Sequence, residues 1–463
     1  MRAVRELPAT GPAPVARHVS ARAHLLLAAV PVLAFTGMAA VHLYHVLGAL
    51  YGYGNRLTLV FAASFLMLWW VPLSWWERPA TASPDQQREL DALTVVVQVP
   101  VYNEDPAALR ACLLSVLDQT RLPQRVRVLD DGSQDPQEAV RDDFLARAAA
   151  LGVDARWQRT ANRGKRHAQM TSLTGDDSDV VVTLDSDSVL DREALREGLK
   201  PFADPRTTSV AGLVAVLNTR RNWLTGLTAL LYLPFTRGFR SAQSVLGRVM
   251  INSGTLALYR GEVLRRYARA YPNETFRGRP MQMNDDSLMT LYGLLHGRTV
   301  HQPNCVAYTL VPDTLGQYRR QQMRWMRGTF IRTLWWFRYA PGVLSPVFWM
   351  PLVELVQLAV ATVAPLLLLA NPASRTHAGQ LLASTVLVGV GLNWVLALRL
   401  LALRRSDEPL RLHLLMVLLS PLAGLWRTLV VRPMHLYALL TFWRVDSWGT
   451  REQGVEVALA PGV

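Results

Sequence analysis

Long apolar runs without charged residues lie near both ends of the sequence and limit what the chain can fold into. Between Arg22 and Arg56 there is no Lys, Arg, Asp or Glu, and a second charge-free run covers residues 57–76. Residues 23–50 exceed the roughly 20 residues that a helix needs to cross a bilayer, and they are too long for the hydrophobic region of a signal peptide. We therefore predict two transmembrane helices over residues 23–76.

The positive charge beside these runs predicts their orientation. The chain has a net charge of +14, and Arg17 and Arg22 precede the first run. The positive-inside rule places such residues in the cytoplasm. We expect the tail of residues 1–22 on that side, and two spans return the chain there at a polar linker, residues 77–91. No basic run carries a nucleic-acid-binding motif, so we expect no nucleic-acid partner.

The middle of the chain, residues 92–310, alternates short Val-rich runs with helical stretches. The Val-rich runs are residues 94–100, residues 126–129 and Val180–Leu184. Between the first two, residues 106–119 repeat apolar side chains at helical spacing. This alternation predicts an α/β domain with a mostly parallel sheet and helices on both faces. Ligands of such domains bind at the carboxyl ends of the strands.

A second apolar region, residues 343–445, predicts further transmembrane helices, followed by a tail of residues 446–463. The candidate spans are residues 343–370, 381–398 and 412–443. Arg427 and Arg432 interrupt the last of these. It is therefore either one tilted span or a short span followed by an interfacial helix.

Three polar clusters follow the predicted strands in order, and two more come later in the chain. They are Tyr102 to Glu104, Asp131-Gly132, Asp185-Ser186-Asp187, Asn284-Asp285-Asp286 and Gln321-Gln322-Met323-Arg324-Trp325. Each has an ordinary alternative when taken alone. Asp-Gly is common in turns, Asn284 could cap the following helix, and Arg with Trp is typical of an interfacial helix. The informative feature is their ordered combination.

The side chains of these clusters suit a nucleotide diphosphate sugar. Asp185 and Asp187 flank one residue just after a strand, so their oxygens can bind Mg²⁺ or Mn²⁺ that bridges to a diphosphate. A separate carboxylate must deprotonate the acceptor hydroxyl, and Asp286 is the candidate. The planar fork of Arg324 matches diphosphate oxygens, and Trp325 offers a face on which a sugar ring can stack.

In order and spacing, these clusters resemble those of the processive, membrane-integrated family 2 glycosyltransferases, which include the hyaluronan, chitin and cellulose synthases. The hyaluronan synthase and nodulation-type chitin synthase branch is the most similar. Its further features here are Asn162-Arg163-Gly164-Lys165-Arg166, Asn252-Ser253-Gly254, Gln321-Gln322-Met323-Arg324-Trp325 and Trp448-Gly449-Thr450-Arg451.

The resemblance implies a Rossmann-like glycosyltransferase A-type domain in the cytoplasm, inserted between N- and C-terminal transmembrane helices of the plasma membrane. Amphipathic interface helices would occupy residues 311–342. The enzyme would transfer sugar, with inversion, from a UDP-sugar to a growing polysaccharide, using Mg²⁺ or Mn²⁺.

The resemblance also implies roles for individual residues. The uridine would be held by Tyr102, Glu104, Asp131 and Lys165. Asp185 would assist the nucleotide and the metal, and Asp187 would bind the metal. Asp286 would be the base, with Asp285 beside it in the substrate site. The acceptor side would be formed by Ser253, Gly254, Gln321, Arg324 and Trp325.

One departure leaves the product open. Typical hyaluronan synthases follow the acidic pair with Arg-His-Leu-Thr, whereas residues 287–290 read Ser-Leu-Met-Thr here. Hyaluronan-like and chitin-like products therefore both remain. Two other functions compete with the polymerase. A non-processive transferase acting on a lipid-linked acceptor would usually lack residues such as 321–325, and a transporter with a sensor domain would not explain the ordered carboxylates.

Two amphipathic stretches and one buried acid complete the expectations. Residues 222–245 and 319–338 are each either a core helix or a helix at the membrane surface, and the arginines of the second favour the membrane surface. Glu354 and Gln357 share one face of an apolar run. We predict that they face a polysaccharide tunnel; the alternative is that Glu354 lies at the cytoplasmic interface or pairs with an arginine of residues 319–338.

Overall fold

The computed structural model describes most of the chain beyond the first apolar region. The described residues are 14–19, isolated positions between 23 and 44, 70–281, 283–340, 342–370, 372–444 and 457–459. The predicted spans at residues 23–50 and 57–76 therefore lie almost wholly outside the described residues, and residues 448–451 lie outside them entirely.

The described strands form one large sheet and two short two-stranded sheets. Their bounds are β1 Ala16–His18, β2 Val95–Val101, β3 Arg125–Asp130, β4 Asp154–Arg159, β5 Val180–Leu184, β6 Ser188–Leu190, β7 Thr207–Val216, β8 Leu256–Arg260, β9 Thr275–Phe276, β10 Arg279–Pro280, β11 Arg298–Thr309 and β12 Leu403–Arg405. The large sheet has the order β4-β3-β2-β5-β8-β7-β11-β6. The other pairs are β1 with β12 and β9 with β10.

The large sheet is mostly parallel, as the sequence predicts. Strands β4, β3, β2 and β5 pair in parallel, and so do β7 and β11. Strand β8 runs antiparallel between β5 and β7, and β6 runs antiparallel to β11. The Val-rich β2 and β5 are buried along almost their whole length, because helices cover both faces of the sheet.

Helices cover this sheet and then continue into the C-terminal apolar region. Their bounds are α1 Trp70–Ser74, α2 Pro84–Ala92, α3 Pro106–Leu117, α4 Glu138–Ala150, α5 Lys165–Ser172, α6 Ala194–Leu199, α7 Trp223–Leu233, α8 Arg240–Val245, α9 Gly261–Arg266, α10 Asp285–His296, α11 Leu315–Tyr339, α12 Pro346–Ala370, α13 Pro372–Ala397, α14 Leu410–Trp426 and α15 Arg432–Leu439. A π-helical turn, Pro234–Phe239, joins α7 to α8.

The start of α3 shows how the sequence places a helix beside the sheet. Asp105 caps it by accepting a hydrogen bond from the backbone N–H of Ala108 at 2.9 Å, and Pro106 occupies the first turn. Leu109 and Leu113 are fully buried in the core cluster that also contains Val97 and Val99 of β2. The helical spacing of residues 106–119 is therefore confirmed as a core-facing stripe.

Helix α11 lies between the α/β domain and the C-terminal helices. Ile331 and Trp335 pack into the core of the α/β domain. Met326 and Phe330 pack with Ala438 of α15. One face of the helix therefore enters the domain core, as the first predicted alternative requires, and another face contacts the C-terminal helices. Its place at a membrane surface stays a prediction.

Helix α7 makes a similar connection. Its Leu230 and Leu233 pack with Met416 and Ala423 of α14. Residues 222–245 therefore also lie where the sheet domain meets the apolar helices.

The C-terminal apolar region is mostly helical in the described residues, with the short strand β12 between α13 and α14. Within the described residues, one helix, Leu410–Leu439, is long and apolar enough to cross a membrane. It is formed by α14 and α15, which continue through a π-helical turn, Arg427–Val431. Residues 410–439 therefore form one continuous helix, and whether it is a single tilted span or a short span with an interfacial end stays a prediction.

Candidate active site

A cavity of about 820 Å³ opens where the sheet meets α11 and the Leu410–Leu439 helix. The predicted site residues that line it are Tyr102, Asp131, Lys165, Asp185, Asp187, Ser253, Gly254, Asp285, Asp286, Gln321, Arg324 and Trp325. We call Tyr102, Asp131, Lys165, Asp185 and Asp187 the strand wall. We call Gln321, Arg324, Trp325, Arg427, Val431 and His435 the helix wall.

Asp131, in the strand wall, is held by the backbone of the segment that precedes α5. Its carboxylate accepts hydrogen bonds from the N–H groups of Arg163 at 2.9 Å and Gly164 at 2.8 Å. Burial raises the pKa of Asp131, and these hydrogen bonds oppose that rise. Gly132 has φ +78°, and a Cβ there would stand 2.8 Å from the backbone N of Asn162. The Asp-Gly pair is thus a turn whose carboxylate also holds the segment before α5.

Lys165 links the strand wall to the acidic pair on α10. Its Nζ lies 2.7 Å from Asp185 Oδ1 and 2.8 Å from Asp285 Oδ2. Burial alone would lower the pKa of Lys165, but the two carboxylates raise it above its usual range. Burial would likewise raise the pKa of Asp285, and the charge of Lys165 holds it below its ordinary value. The lysine therefore remains a fixed cation inside the cavity.

Asp286 is the carboxylate whose pKa the site raises toward neutral pH. Burial, followed by the negative charge of Asp285, raises the pKa of Asp286 to about 6. The backbone N–H of Ser287 donates to its Oδ1 at 2.6 Å. A base poised near the working pH exchanges protons efficiently, so Asp286 has the properties that general-base catalysis requires.

The side chain of Asn284 contacts α11 and does not cap α10. It has a left-handed backbone, φ +61°, and its side chain makes no cap hydrogen bond. Its Nδ2 donates to the carbonyl oxygen of Gly328 in α11 at 2.7 Å. A Cβ on Gly328 would stand 2.2 Å from Asn284 Oδ1, so only glycine permits this approach. Residues 284–286 therefore contact the strand wall through Lys165 and the helix α11, which carries part of the helix wall, through Gly328.

Asp185 and Asp187 fit a divalent cation that is shared with a substrate. Both line the cavity from one loop, and Asp187 Oδ1 lies 3.2 Å from Ser188 Oγ. Among the described residues, no group of three or more His, Cys, Asp or Glu side chains could hold a metal ion. Mg²⁺ is commonly held by one or two carboxylates together with substrate phosphates, and the strand wall matches that arrangement.

Glu104 does not line the cavity, although the sequence placed it at the uridine. It is buried, and its Oε2 accepts a hydrogen bond from Ser186 Oγ at 2.6 Å. Gln137 Nε2 donates to the Glu104 carbonyl oxygen at 2.9 Å. Glu104 thus supports the loop that carries Asp185 and Asp187.

The helix wall presents a different surface. Trp325 lies with its ring centroid 5.9 Å from that of Tyr232, which also lines the cavity. Arg427 and His435 bring the Leu410–Leu439 helix to the same space. One cavity therefore connects the strand-end carboxylates with the helix that, among the described residues, is long and apolar enough to cross a membrane.

Neither Glu354 nor Gln357 lines this cavity. Arg332 Nη2 donates to Glu354 Oε2 at 2.6 Å, and Arg332 itself lines the cavity. The alternative to the tunnel role was that Glu354 pairs with an arginine of residues 319–338. Arg332 is such an arginine, so the structure shows this pairing. The contact of these two side chains with a polysaccharide stays a prediction.

Two supporting residues were missed from the sequence. Thr290 Oγ1 donates to the Asp286 carbonyl oxygen at 2.7 Å and accepts from the Asn252 N–H at 2.9 Å. Arg240 Nη2 donates to Ser253 Oγ at 2.7 Å. The spacing of Thr290 after Asp286 was a usable signal, but Arg240 stands in an apolar stretch whose sequence does not point to the cavity.

The fold is that of a glycosyltransferase A-type, Rossmann-like α/β enzyme. A mannosyltransferase from Pyrobaculum calidifontis, solved with GDP-Man and Mn²⁺, superposes with a TM-score of 0.51 over 89% of this chain and 100% of that chain, at 20% sequence identity. This likeness concerns the fold alone.

Sequence comparison then identifies the family. The profile of glycosyl transferase family 2 matches residues 96–268. A hyaluronan synthase of Streptococcus pyogenes is 32% identical over 362 residues, which are 78% of this chain and 83% of that protein. An N-acetylglucosaminyltransferase of Azorhizobium caulinodans is 31% identical over 372 residues, 79% of this chain and 90% of the relative. The chain belongs to glycosyl transferase family 2, and it is a glycosyltransferase related to these two enzymes.

Proposed function

We propose that the chain is a membrane-embedded polymerase that transfers sugar, with inversion, from a UDP-sugar to a growing polysaccharide. The observation that carries this proposal is the shared cavity. Its strand wall suits a nucleotide diphosphate, and its helix wall belongs partly to the Leu410–Leu439 helix. An acceptor bound there would already stand at the mouth of the apolar helices.

The strand wall would bind the donor. Tyr102 and Asp131 would hold the uridine, and Lys165 would lie beside the diphosphate. Asp185 and Asp187 would hold Mg²⁺ or Mn²⁺, which neutralises charge on the leaving diphosphate when bound. Glu104 would act indirectly, by fixing the loop of these two carboxylates through Ser186.

Asp286 would act as the base. Its carboxylate takes the proton of an acceptor hydroxyl while that oxygen attacks C1 of the donor sugar. The C1–oxygen bond to the diphosphate breaks, and UDP leaves with the electron pair. Because attack comes opposite the leaving group, the configuration at C1 inverts. With its pKa near 6, Asp286 is largely ionised at neutral pH and ready to accept the proton.

The helix wall would hold the acceptor. Trp325 offers a ring for stacking, and Arg324 and Gln321 offer hydrogen-bond donors toward the diphosphate and the sugar. The S. pyogenes relative, a hyaluronan synthase, and the A. caulinodans relative, an N-acetylglucosaminyltransferase, support a polymer containing N-acetylglucosamine.

The same proposal includes the membrane. Residues 23–76 and 343–445 would cross the plasma membrane several times, with tails of residues 1–22 and 446–463. The α/β domain would face the cytoplasm, and residues 311–342 would seat it on the bilayer. Elongation would be processive and coupled to export, because the acceptor side of the cavity reaches an apolar helix.

Incorporation by the purified protein tests the proposal. The detergent-solubilised enzyme would be given radiolabelled UDP-N-acetylglucosamine and UDP-glucuronate, singly and together, with Mg²⁺ or Mn²⁺. A long polymer that needs both donors would indicate a hyaluronan-like product, and one made from the first alone a chitin-like product. Transfer of single sugars to a lipid carrier, or no transfer from any UDP-sugar, would contradict the polymerase.

A further inference from the structure

Arg240 is a buried arginine that belongs to neither wall, but it contacts Ser253, which lines the cavity. Its side chain is almost wholly buried, and its Nη2 donates to Ser253 Oγ at 2.7 Å. Nη1 donates to the Gly212 carbonyl oxygen at 3.2 Å, and the guanidinium carbon lies 4.8 Å from the ring centroid of Phe235. A charge held this far from water is costly, so its place calls for a specific interaction.

Ser253 stands between the base and the strand wall. The preceding residue, Asn252, donates its backbone N–H to Thr290, which in turn donates to the Asp286 carbonyl oxygen. On the other side, a Cβ on Gly254 would stand 3.1 Å from the strand-wall lysine. The Ser253 hydroxyl, which lines the cavity, therefore lies where the reacting sugar would be held.

The hydrogen bond from Arg240 decides what this hydroxyl can offer. A guanidinium only donates, so it uses the acceptor capacity of Ser253 Oγ and leaves the hydroxyl hydrogen available. Within the part of the chain that the structure describes, no protein group accepts that hydrogen. The hydroxyl is thus oriented as a donor toward the cavity.

We propose that Arg240 is a positioning residue for the acceptor sugar. It fixes Ser253 so that the hydroxyl donates to an oxygen of the sugar whose own hydroxyl Asp286 deprotonates. The idea rests on the proposed function, because it needs an acceptor sugar in the cavity.

The helix that carries Arg240 is also anchored to the apolar parts of the chain. Ser241 Oγ donates to Glu77 Oε2 at 2.6 Å, just after the first apolar region. In the preceding π-helical turn, Arg237 Nη1 donates to the Arg399 carbonyl oxygen at 2.7 Å, next to the C-terminal end of α13. Arg240 therefore aligns the acceptor sugar with the helices along which the product would leave.

A double-mutant cycle tests this role. Ser253→Ala, Arg240→Met and the double variant would be compared for the KM of an added oligosaccharide acceptor and for the Kd of UDP. The bond lost to the sugar joins two uncharged groups, so each single change should raise the acceptor KM several-fold, to about tenfold. Because Arg240 acts through Ser253, the double variant should be no worse than the worse single one. The Kd of UDP should stay within about twofold, since Arg240 contacts no strand-wall residue.

The controls separate positioning from general destabilisation. Arg121 is another buried arginine, which binds the backbone oxygen of Leu93 and does not line the cavity. Arg121→Met should leave the acceptor KM unchanged. Arg240→Lys, which keeps the charge and a donor, should recover part of the loss, and it replaces Arg240→Met in the cycle if that variant does not fold.

The outcomes distinguish this inference from the function on which it rests. Losses that multiply to about 100-fold in the double variant would show that Arg240 acts independently of Ser253. An equal rise in KM for Arg121→Met, or a main defect in UDP affinity, would also overturn the positioning role. If the unmodified enzyme transfers no sugar, the proposed function itself fails.

Discussion

The two walls of the cavity are built in different ways. In the strand wall, the side chains other than Lys165 come just after a buried strand, as Asp131 follows β3 and Asp185 follows β5, and Lys165 begins α5. In the helix wall, α11 and the Leu410–Leu439 helix come from distant parts of the chain and meet through packing such as Met326 on Ala438. The strand wall is therefore fixed by the sheet, whereas the helix wall depends on how the helices dock.

Residues 284–286 connect the strand wall to α11, the helix that carries part of the helix wall. Asp285 pairs with Lys165 of the strand wall, and Asn284 donates to the backbone of α11. Asp286 directly follows these two residues in the chain. This difference implies that donor binding and sugar transfer should be separable by mutation, with Asp286 at the point where they combine.

The largest effect is expected at Asp286. Asp286→Asn keeps the shape of the side chain but cannot accept a proton, so kcat should fall by about 10²–10⁴-fold. Initial-rate measurements of sugar incorporation at saturating donor check this. Near-normal turnover in the variant would mean that another group is the base.

A strand-wall change should instead act through the donor and its metal. Asp187→Asn removes a charged oxygen ligand, and loss of metal stabilisation worth about 3 kcal/mol corresponds to roughly a 100-fold lower rate. The variant's dependence on Mg²⁺ or Mn²⁺ concentration should move to higher values. Full activity of the unmodified enzyme in excess chelator would rule out the metal.

A change in α11, which carries part of the helix wall, should leave UDP binding unaffected. Gly328→Ala places a Cβ against Asn284, which should displace α11 and lower transfer about tenfold to 100-fold. The matched control is Gly316→Ala in the same helix, where the new Cβ meets nothing nearer than 3.7 Å and transfer should not change. Weaker UDP binding in Gly328→Ala, with the control unaffected, would show that the walls are not separable.

The dependence of kcat on pH should follow the ionisation of Asp286. Its pKa is raised to about 6, so the ionised base is lost as the pH falls through that value. The plot of kcat against pH should be flat near neutrality and fall about tenfold per pH unit well below about pH 6. A limb centred near the ordinary pKa of about 4 for aspartate would contradict the burial argument.

The strand wall could be predicted from the sequence because its information is local. A Val-rich run followed at once by Asp185-Ser186-Asp187 indicates both the strand and the edge where it ends. The inward turn of Glu104 toward Ser186 could not be predicted in this way. It depends on the pairing of β2 beside β5, which brings two separate loops together.

The contacts around the helix wall were harder to predict, since their partners are far apart in sequence. The alternatives for Glu354 included the pairing with an arginine of α11, but spacing alone did not identify Arg332. The pairing of β1 with β12 joins two segments that each look like loop in the sequence. Helix periodicity predicts that a helix forms, not which neighbour it docks on.

The central claim is that nucleotide binding and proton removal belong to different groups that meet in one cavity. Its most direct test is the Kd of UDP, with saturating Mn²⁺ or Mg²⁺, measured by titration calorimetry for the unmodified enzyme and for Asp286→Asn. We predict that the two values agree within about twofold while transfer is almost abolished in the variant. A tenfold or larger loss of UDP affinity in Asp286→Asn would contradict the account, because Asp286 would then belong to the donor site.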